Sequence, residues 1–247
     1  MEHFWTHRDN IPEGLGYGQF SVKHFILIAV TCFFTAGVIR AYSVSGPSGR
    51  IIILRCIAAA LILIDVIKMI VIARSDVVFT DYLPLEICSF GAYFIVCDSI
   101  LIDEPFFTVM LLTLFLPGAL MAIIFPTTTP LPVCNFFTIH QFLYHGLIIA
   151  YVAARFCCLE IPLIYADLWG SIGRILILIG IIYVIDTVFH KNYMFLKDAY
   201  GNALLGKIRQ VCGGGFAYTV GLILFSIFMI HVFFALFKCI MALMLLL

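Results

Sequence analysis

The sequence has 247 residues, of which 64% are hydrophobic and 11% charged, and its mean hydropathy is +1.14. A water-soluble domain carries about 25% charged residues, so this composition excludes an ordinary soluble fold. Basic and acidic residues number 14 each, and this balance gives no reason to expect a nucleic-acid partner. Hydrocarbon offers no hydrogen bonds to a peptide backbone, so the long apolar blocks predict helices that cross a membrane.

A membrane-crossing helix takes roughly 20 mostly apolar residues. The fold class predicted is an all-α membrane protein, a bundle of about seven transmembrane helices with six possible, in a single polytopic domain over residues 1–247. Turns are predicted where glycine and proline gather, as in the uncharged link 126–132 and at Asp103-Glu104-Pro105. The predicted spans are 21–42, 51–73, 84–102, 105–125, 135–158, 169–189 and 217–243.

Two polar segments interrupt the apolar pattern. Residues 1–20 form a polar N-terminal segment without the layout of a cleaved signal peptide. Residues 192–215 are predicted to be a polar loop or a partly re-entrant segment. Nine cysteines lie mostly inside apolar runs, which favours small buried side chains over a disulfide framework. Lysine and arginine are divided almost evenly between the two sides, so the positive-inside rule does not fix the orientation.

Ionisable residues inside a bilayer are costly, so each of them is a candidate for function. Asp65 and Lys68 are three residues apart on one helix and are predicted to form a structural ion pair, with a proton or ion relay as the alternative. Asp98 and Asp186 lie near the ends of spans, where a carboxylate reaches water. Glu86 lies in the first turn of its helix, where the helix dipole favours a negative charge, while its apolar neighbours indicate that it points into the bundle.

Two histidines lie on the fifth predicted span. Five residues of helix put His140 and His145 about 140° apart, so they do not form one ligand pair. His145 shares a face with Gln141, and His140 shares one with Tyr144. His145 is predicted to be either an interhelical hydrogen-bonding residue or a catalytic base. Neither a metal site nor another cofactor is predicted, because the histidines and acids lack the spacing of a ligand set.

Four short segments together resemble the YwaF family of bacterial integral membrane proteins. They are LPLEICS at 83–89, GALMAIIFP at 118–126, LYHGLII at 143–149 and NYMFL at 192–196. The same broad group includes a eukaryotic multi-pass phospholipid acyltransferase and, more remotely, intramembrane lipid-ester hydrolases induced by androgen. The resemblance runs from the second span to about residue 200. It implies a location in the bacterial cell membrane.

The resemblance also implies a Cys/His or Thr/His acyl-transfer site within the membrane, in which a histidine activates a nucleophile that attacks a lipid ester. The histidine of the family matches His145. In the acyltransferase a Cys-His dipeptide begins the third span, but Leu85 and Glu86 stand at those places here. Bacterial relatives have LPLHLC, with which Cys88 agrees.

Helix geometry favours Cys88 as the replacement nucleophile, because it is about 60° from Leu85 and one turn deeper. Glu86 and Cys88 are about 160° apart on a continuous helix, so they serve one site only if the helix begins between them. The alternative for Cys88 is a packed core cysteine. The candidate catalytic residues are therefore His145, Cys88 and Glu86, and the candidate substrate-binding residues are Gln141, Asn192 and Tyr193.

Three functions remain open at this stage. The first is a lipid acyltransferase or lipid-ester hydrolase. The second is a transporter or small-molecule binding protein, and the third is a non-catalytic membrane subunit that packs against partner helices. The expected partners are membrane lipids and, for the third function, other membrane subunits.

Overall fold

The computed structural model describes residues 2–102, 104–200 and 203–246. Within this part of the chain all regular structure is helical. Asp103, which the sequence analysis places in a turn, and residues 201 and 202 of the polar segment 192–215 lie outside the described residues.

The described residues form eight helices, and six of these are long and apolar enough to cross a membrane. The prediction of an all-α membrane protein is confirmed. Only α3 and α7 fall outside the six, because α3 is short and α7 is a short surface helix. The helices are α1 (Val22–Val44), α2 (Pro47–Ala73), α3 (Ile87–Ile100), α4 (Pro105–Ile124), α5 (Phe136–Cys157), α6 (Tyr165–Val188), α7 (Ala203–Cys212) and α8 (Phe216–Met244).

Two helices begin earlier than the sequence pattern predicts. α2 begins at Pro47 and not at 51, because proline fits the first turn of a helix, where its missing N–H leaves no bond unmade. α6 begins at Tyr165 and not at 169, and its first turn contains Asp167, which the positive end of the helix dipole favours.

α3 has only 14 residues, which is about 21 Å of helix and less than the ~30 Å hydrocarbon core. Its two ends nevertheless lie on opposite sides of the bundle. Glu86, just before α3, contacts Met194, which follows α6. Asp98, near the end of α3, contacts Arg155, near the end of α5. α3 therefore completes a path of seven passes, and below we call the side that carries residues 2–20 the N-terminal side.

The polar N-terminal segment is packed against the start of α5. The Phe4 carbonyl accepts a hydrogen bond from the Phe136 N–H at 2.7 Å. Asn135, which caps α5, donates through Nδ2 to the carbonyls of His3 (2.7 Å) and Thr6 (2.9 Å). These bonds satisfy backbone groups of an irregular segment and fix it over the end of the bundle.

α4 contains a π-helical turn at residues 111–115. The Leu116 N–H donates to the Leu111 carbonyl, five residues earlier. Pro117 has no N–H, so the regular helical bond to the Thr113 carbonyl cannot form at this point. π turns within α-helices occur frequently at functional sites.

A buried ion pair joins α3 to α5. Asp98 is 0% exposed and Arg155 is 1% exposed, and an Nη1 atom of Arg155 donates to Asp98 Oδ2. The Tyr151 hydroxyl donates to the same oxygen at 2.6 Å. The expectation that Asp98 reaches water is wrong, and so is that for Asp186, which is also 0% exposed. The partner of Asp98 lies 57 residues away on another helix, which no local pattern reveals.

The same network continues to the membrane surface through Glu160, which follows α5. Arg50 at the start of α2 donates to Glu160 Oε1 at 2.7 Å, and the Tyr42 hydroxyl near the end of α1 donates to Oε2. Arg155 Nε lies 3.8 Å from Oε2. One connected set of charges therefore ties four helices together on the side opposite the N-terminal side.

All nine cysteines are free thiols, and five of them are exposed. The expectation that most cysteines are buried is therefore wrong. Cys32, Cys56 and Cys239 lie within spans, so their exposed side chains face lipid. A thiol is only weakly polar, so it is stable against lipid as well as in the protein interior. A cysteine within an apolar segment of sequence can therefore face either environment.

We expect Arg155→Leu to lower the free energy of unfolding by about 3–5 kcal/mol, because it leaves the Asp98 carboxylate buried without its charge partner. The double variant with Asp98→Leu should regain most of this loss, since the uncompensated charge is then absent. Unfolding in detergent, followed by circular dichroism, measures both changes. Arg174→Leu is the control, because its pair with Glu104 is exposed and is worth about 1 kcal/mol or less. Equal losses of unfolding free energy in Arg155→Leu and Arg174→Leu would contradict the prediction.

Acidification is expected to loosen the N-terminal segment. Burial lowers the pKa of His7, whose ring packs against the rings of Tyr82 and Phe137. The folded state therefore disfavours the protonated imidazole, and this packing loses stability as the pH falls below about 6.5. With Trp169 replaced by phenylalanine, the emission of Trp5 should shift to longer wavelength between about pH 7 and pH 5. His7→Phe should abolish the shift; its persistence would refute the assignment to His7.

Candidate functional site

Polar side chains from three helices meet in the half of the bundle nearer the N-terminal side. The Tyr144 hydroxyl lies within electrostatic range of Asp65, Cys88 and Tyr93, and it faces Ser89. We call this set, together with Lys68, His140 and His145, the α2–α3–α5 cluster. Its members are Asp65 and Lys68 from α2, Cys88, Ser89 and Tyr93 from α3, and His140, Tyr144 and His145 from α5.

Lys68 is the common neighbour within the cluster. Its Nζ lies 2.7 Å from Asp65 Oδ1, and the two side chains form the ion pair that their spacing predicts. The ammonium also lies within electrostatic range of Cys88, His140 and His145. A positive charge at this place stabilises negative charge that develops on its neighbours, and the low dielectric of the bilayer strengthens the effect.

α5 carries three buried polar atoms that have no hydrogen-bond partner within the described part of the chain. They are His140 Nε2, Tyr144 Oη and His145 Nε2. His145 Nδ1 is 2.7 Å from the Gln141 carbonyl, which leaves Nε2 to act on a neighbouring group. The His140 and Tyr144 rings stack with centroids 5.1 Å apart. An unpaired buried polar atom costs about 1–3 kcal/mol, so these atoms favour a partner that the described residues do not supply, such as a water molecule or a ligand.

α3 begins between Glu86 and Cys88. Glu86 is the N-cap residue, with extended backbone, and the first helical residue is Ile87. The separation of about 160° calculated for a continuous helix therefore does not apply. Glu86 Oε2 accepts a hydrogen bond from the Met194 N–H at 2.8 Å, so this carboxylate holds the segment that follows α6. Within the described residues, no hydrogen bond joins it to Cys88 or His145.

Cys88 borders a small cavity between α3, α4 and α5. The cavity is lined by Phe115 and Gly118, which flank Pro117 next to the π turn of α4, and by Ile148 of α5. Ile148 is three residues after His145, so the two lie on one face of α5 about one turn apart. Cys88 and His145 each lie within electrostatic range of Lys68, and no hydrogen bond joins the two side chains among the described residues.

Asn192 organises the loop that follows α6. Its Oδ1 accepts hydrogen bonds from the N–H groups of Lys197 (2.7 Å) and Asp198 (3.1 Å), and its Nδ2 donates to the Asp198 carbonyl at 2.8 Å. Every hydrogen-bonding group of the side-chain amide except one N–H is thereby engaged within the loop. The role of Asn192 in substrate binding stays a prediction.

Tyr193 is 3% exposed, so its side chain is turned into the protein. Its N–H donates to Asp186 Oδ1 at 2.9 Å, and its hydroxyl donates to the Thr80 carbonyl. Burial raises the pKa of Tyr193, and the nearby carboxylates of Asp81 and Asp186 act in the same direction, so the phenol stays a neutral donor. Its role as a substrate contact stays a prediction.

Backbone strain is concentrated in the same loop. His190, Met194 and Phe195 have φ values of 53°, 56° and 57°, in the left-handed region that side chains other than glycine rarely adopt. Such conformations cost of order 1 kcal/mol or more each and persist only where the surroundings hold them. The carboxylates of Glu86 and Asp186 hold them here, through the N–H groups of Met194 and Tyr193.

Gln141, the third candidate substrate-binding residue, is bound to the end of α4. Its Nε2 donates to the Ala122 carbonyl near the end of α4 at 2.9 Å. This bond joins α4 to α5 and satisfies a carbonyl in the last turn of α4. Substrate binding by Gln141 stays a prediction.

The sequence predicted the pair Asp65 and Lys68 and the catalytic residues Cys88 and His145, but it did not place the two pairs in one cluster. It missed Tyr93 and the central position of Tyr144. The only available signal was the shared face of His140 and Tyr144, since contacts between helices leave no spacing in the sequence. Across the described residues, no three His, Cys, Asp or Glu side chains assemble as a metal site.

A groove of about 480 Å³ opens sideways between α2 and the start of α3, and we call it the α2–α3 groove. Its polar members are Asp65 and Tyr93, which also belong to the α2–α3–α5 cluster. The groove therefore leads from the lipid-facing surface to the cluster. Its lining residues are Ile62, Asp65, Val66, Met69, Ile70, Ala73, Phe79, Pro84 and Tyr93.

We expect Asn192→Ala to free the loop after α6. The amide hydrogens of Lys197 and Asp198 should exchange with solvent faster, because they lose the partly buried oxygen that accepts their hydrogen bonds. Hydrogen–deuterium exchange with mass spectrometry measures the change. Gln210→Ala, on exposed α7, is the control and should leave this loop unchanged. If the two variants exchange alike, Asn192 does not hold the loop.

The comparisons with known proteins agree with this architecture. The model of the TMEM164 family matches residues 19–237. Neither a curated protein nor a solved structure matches the chain significantly. Because the family match covers all seven passes up to the last turns of α8, this protein belongs to the TMEM164 family of multi-pass membrane proteins.

Proposed function

We propose that the protein transfers or hydrolyses acyl groups of membrane lipids at the α2–α3–α5 cluster, through an acyl-enzyme on Cys88. The observation that carries this proposal is the buried Nε2 atom of His145, which has no hydrogen-bond partner among the described residues. It lies in the same half of the bundle as Cys88, and Lys68 is within electrostatic range of both residues. A base, a thiol and a fixed positive charge are the groups that acyl transfer requires.

The reaction begins when His145 Nε2 takes the proton of the Cys88 thiol. The thiolate attacks the carbonyl carbon of a lipid ester, an S–C bond forms, and the ester C–O bond breaks. The proton on His145 passes to the leaving alkoxide. An acceptor alcohol or water then loses its proton to His145 and attacks the thioester, which releases the new ester or the free acid, and the thiolate regains the proton.

Lys68 stabilises the charge in this scheme. The thiolate and the oxyanion both carry negative charge where no solvent screens it, and the ammonium lies within electrostatic range of Cys88. Asp65 holds the ammonium in place through the 2.7 Å ion pair. Glu86 is assigned a positioning role, since its bond to Met194 fixes the backbone that leads into α3.

The resemblance to the YwaF family and to the phospholipid acyltransferase supports the same chemistry. This chain has Leu85 and Glu86 where the acyltransferase has its Cys-His dipeptide, and the proposal therefore moves the nucleophile one turn along α3 to Cys88. The location in a bacterial cell membrane comes from this resemblance alone and stays a prediction.

A non-catalytic subunit is the second candidate, and α8 is the observation that favours it. Only 17% of the apolar part of α8 is buried, so this helix offers a long face to another membrane helix. Lipid tails cover such a face equally well, and the cluster on α2, α3 and α5 would then be unexplained.

We expect an alkyne-tagged acyl-thioester lipid to label the purified protein through a hydroxylamine-sensitive bond. Cys88→Ala should abolish labelling, and His145→Ala should lower it by about 10²-fold or more, because the thiol loses its base. Lys68→Met should lower the labelling rate and leave the labelled residue unchanged. Labelling is read by fluorescence after attachment of a dye, and the modified residue is found by mass spectrometry.

Cys97→Ala is the matched control for this experiment. Cys97 lies on the same helix as Cys88 and is also partly buried, but it is near the opposite end of α3. Its removal should leave labelling unchanged. Labelling that survives Cys88→Ala in a folded variant overturns the proposal, and the subunit function then becomes the better account.

A further inference from the structure

The α2–α3 groove has the shape of a site for a single aliphatic chain. Its floor is a stripe of α2 at residues 62, 66, 69, 70 and 73, which lie on one face of the helix. Apart from Asp65 and Tyr93, the lining is apolar. Asp65 is paired with Lys68, and Tyr93 donates to the Pro84 carbonyl, so neither group demands a polar ligand.

The groove occupies one leaflet. Ile62 and Ala73 are 11 residues apart, so the stripe is about 16 Å long at the rise of an α-helix. This is about half of the ~30 Å hydrocarbon core. Ala73 ends α2 on the N-terminal side, where Phe79 and Pro84 complete the groove. The groove therefore runs from the membrane surface on that side to about mid-depth.

A positive charge stands at the surface end of the groove. Arg74 directly follows Ala73 as the C-cap residue of α2 and is exposed. Its guanidinium forms no ion pair or side-chain hydrogen bond within the residues that the structure describes, although Asp76 is only two residues away. A guanidinium at this level binds a phosphate through paired N–H donors.

We propose that the α2–α3 groove binds a phospholipid of the leaflet on the N-terminal side, with one acyl chain against α2 and the phosphate at Arg74. This goes beyond the proposed function, because lipid is held in the groove whether or not an acyl group is transferred. It also implies that lipid enters sideways from the bilayer, since the groove opens to the lipid-facing surface between α2 and α3.

The test uses phosphatidylcholine with a photoreactive diazirine in one acyl chain, incorporated with the full chain into lipid nanodiscs. Cross-linked peptides are identified by mass spectrometry. We expect cross-links to concentrate on residues 62–73 and on Phe79. Val66→Trp fills the groove and should lower these cross-links about tenfold. Val66 is 49% exposed, so the larger side chain does not disturb the packed interior.

Leu63→Trp is the matched control, because Leu63 is on the same helix, is 61% exposed and does not line the groove. It should keep full cross-linking. Arg74→Ala should weaken cross-linking several-fold, and Arg74→Lys should restore part of it, because the phosphate contact is charge-based.

Three results would overturn the inference. Equal cross-linking in the two tryptophan variants means that lipid contacts α2 without using the groove. Equal cross-linking by a photoreactive fatty alcohol, unaffected by Arg74→Ala, means that the groove binds any aliphatic chain and no phosphate. Cross-links to another protein in place of lipid mean that a partner helix covers the groove. Cys88→Ala should leave the cross-links unchanged, so failure of acyl transfer and failure of lipid binding are distinguishable.

Discussion

The ion pair between Asp98 and Arg155 fixes the helix on which the rest of the site depends. α3 is too short to span the hydrocarbon core unaided, and lipid gives it no directional contacts. The buried ion pair between Asp98 and Arg155 sets both the depth of α3 and its rotation relative to α5. Tyr151, on the same face of α5, adds a second bond to the carboxylate. An apolar pair would pack as well, but it would not specify a single register.

The other end of α3 is fixed by a different kind of bond. Glu86 binds a backbone N–H of the strained loop after α6, and Asp186 binds the neighbouring one. Both carboxylates are thus used to satisfy irregular backbone, which a membrane protein tolerates only where protein covers it. The loop, the start of α3 and the end of α6 consequently form one unit, and a change in any of them reaches Cys88 through the first turn of its helix.

Between these two anchors lies the α2–α3–α5 cluster. Within the described residues, three buried polar atoms of α5 have no hydrogen-bond partner there, namely His140 Nε2, Tyr144 Oη and His145 Nε2. A preorganised site requires functional side chains that rigid surroundings hold in place, and the fixed ends of α3 provide such surroundings for the cluster. The α2–α3 groove reaches this centre from the bilayer, so a lipid does not have to leave the membrane to approach it.

The sequence by itself determined that this protein is a helical membrane bundle. In hydrocarbon the backbone must form its hydrogen bonds internally, so the long apolar segments fold as helices. The sequence also determined the pairing of Asp65 with Lys68 and the shared helix face of His140 and Tyr144, since both follow from helical spacing. Only the tertiary structure decided that Asp98 is buried with Arg155, that Tyr193 turns inward and that Lys68 lies within electrostatic range of both Cys88 and His145. These depend on contacts between helices that are distant in the chain, and in lipid, where both faces of a helix are apolar, hydrophobic periodicity does not show which face meets a neighbour.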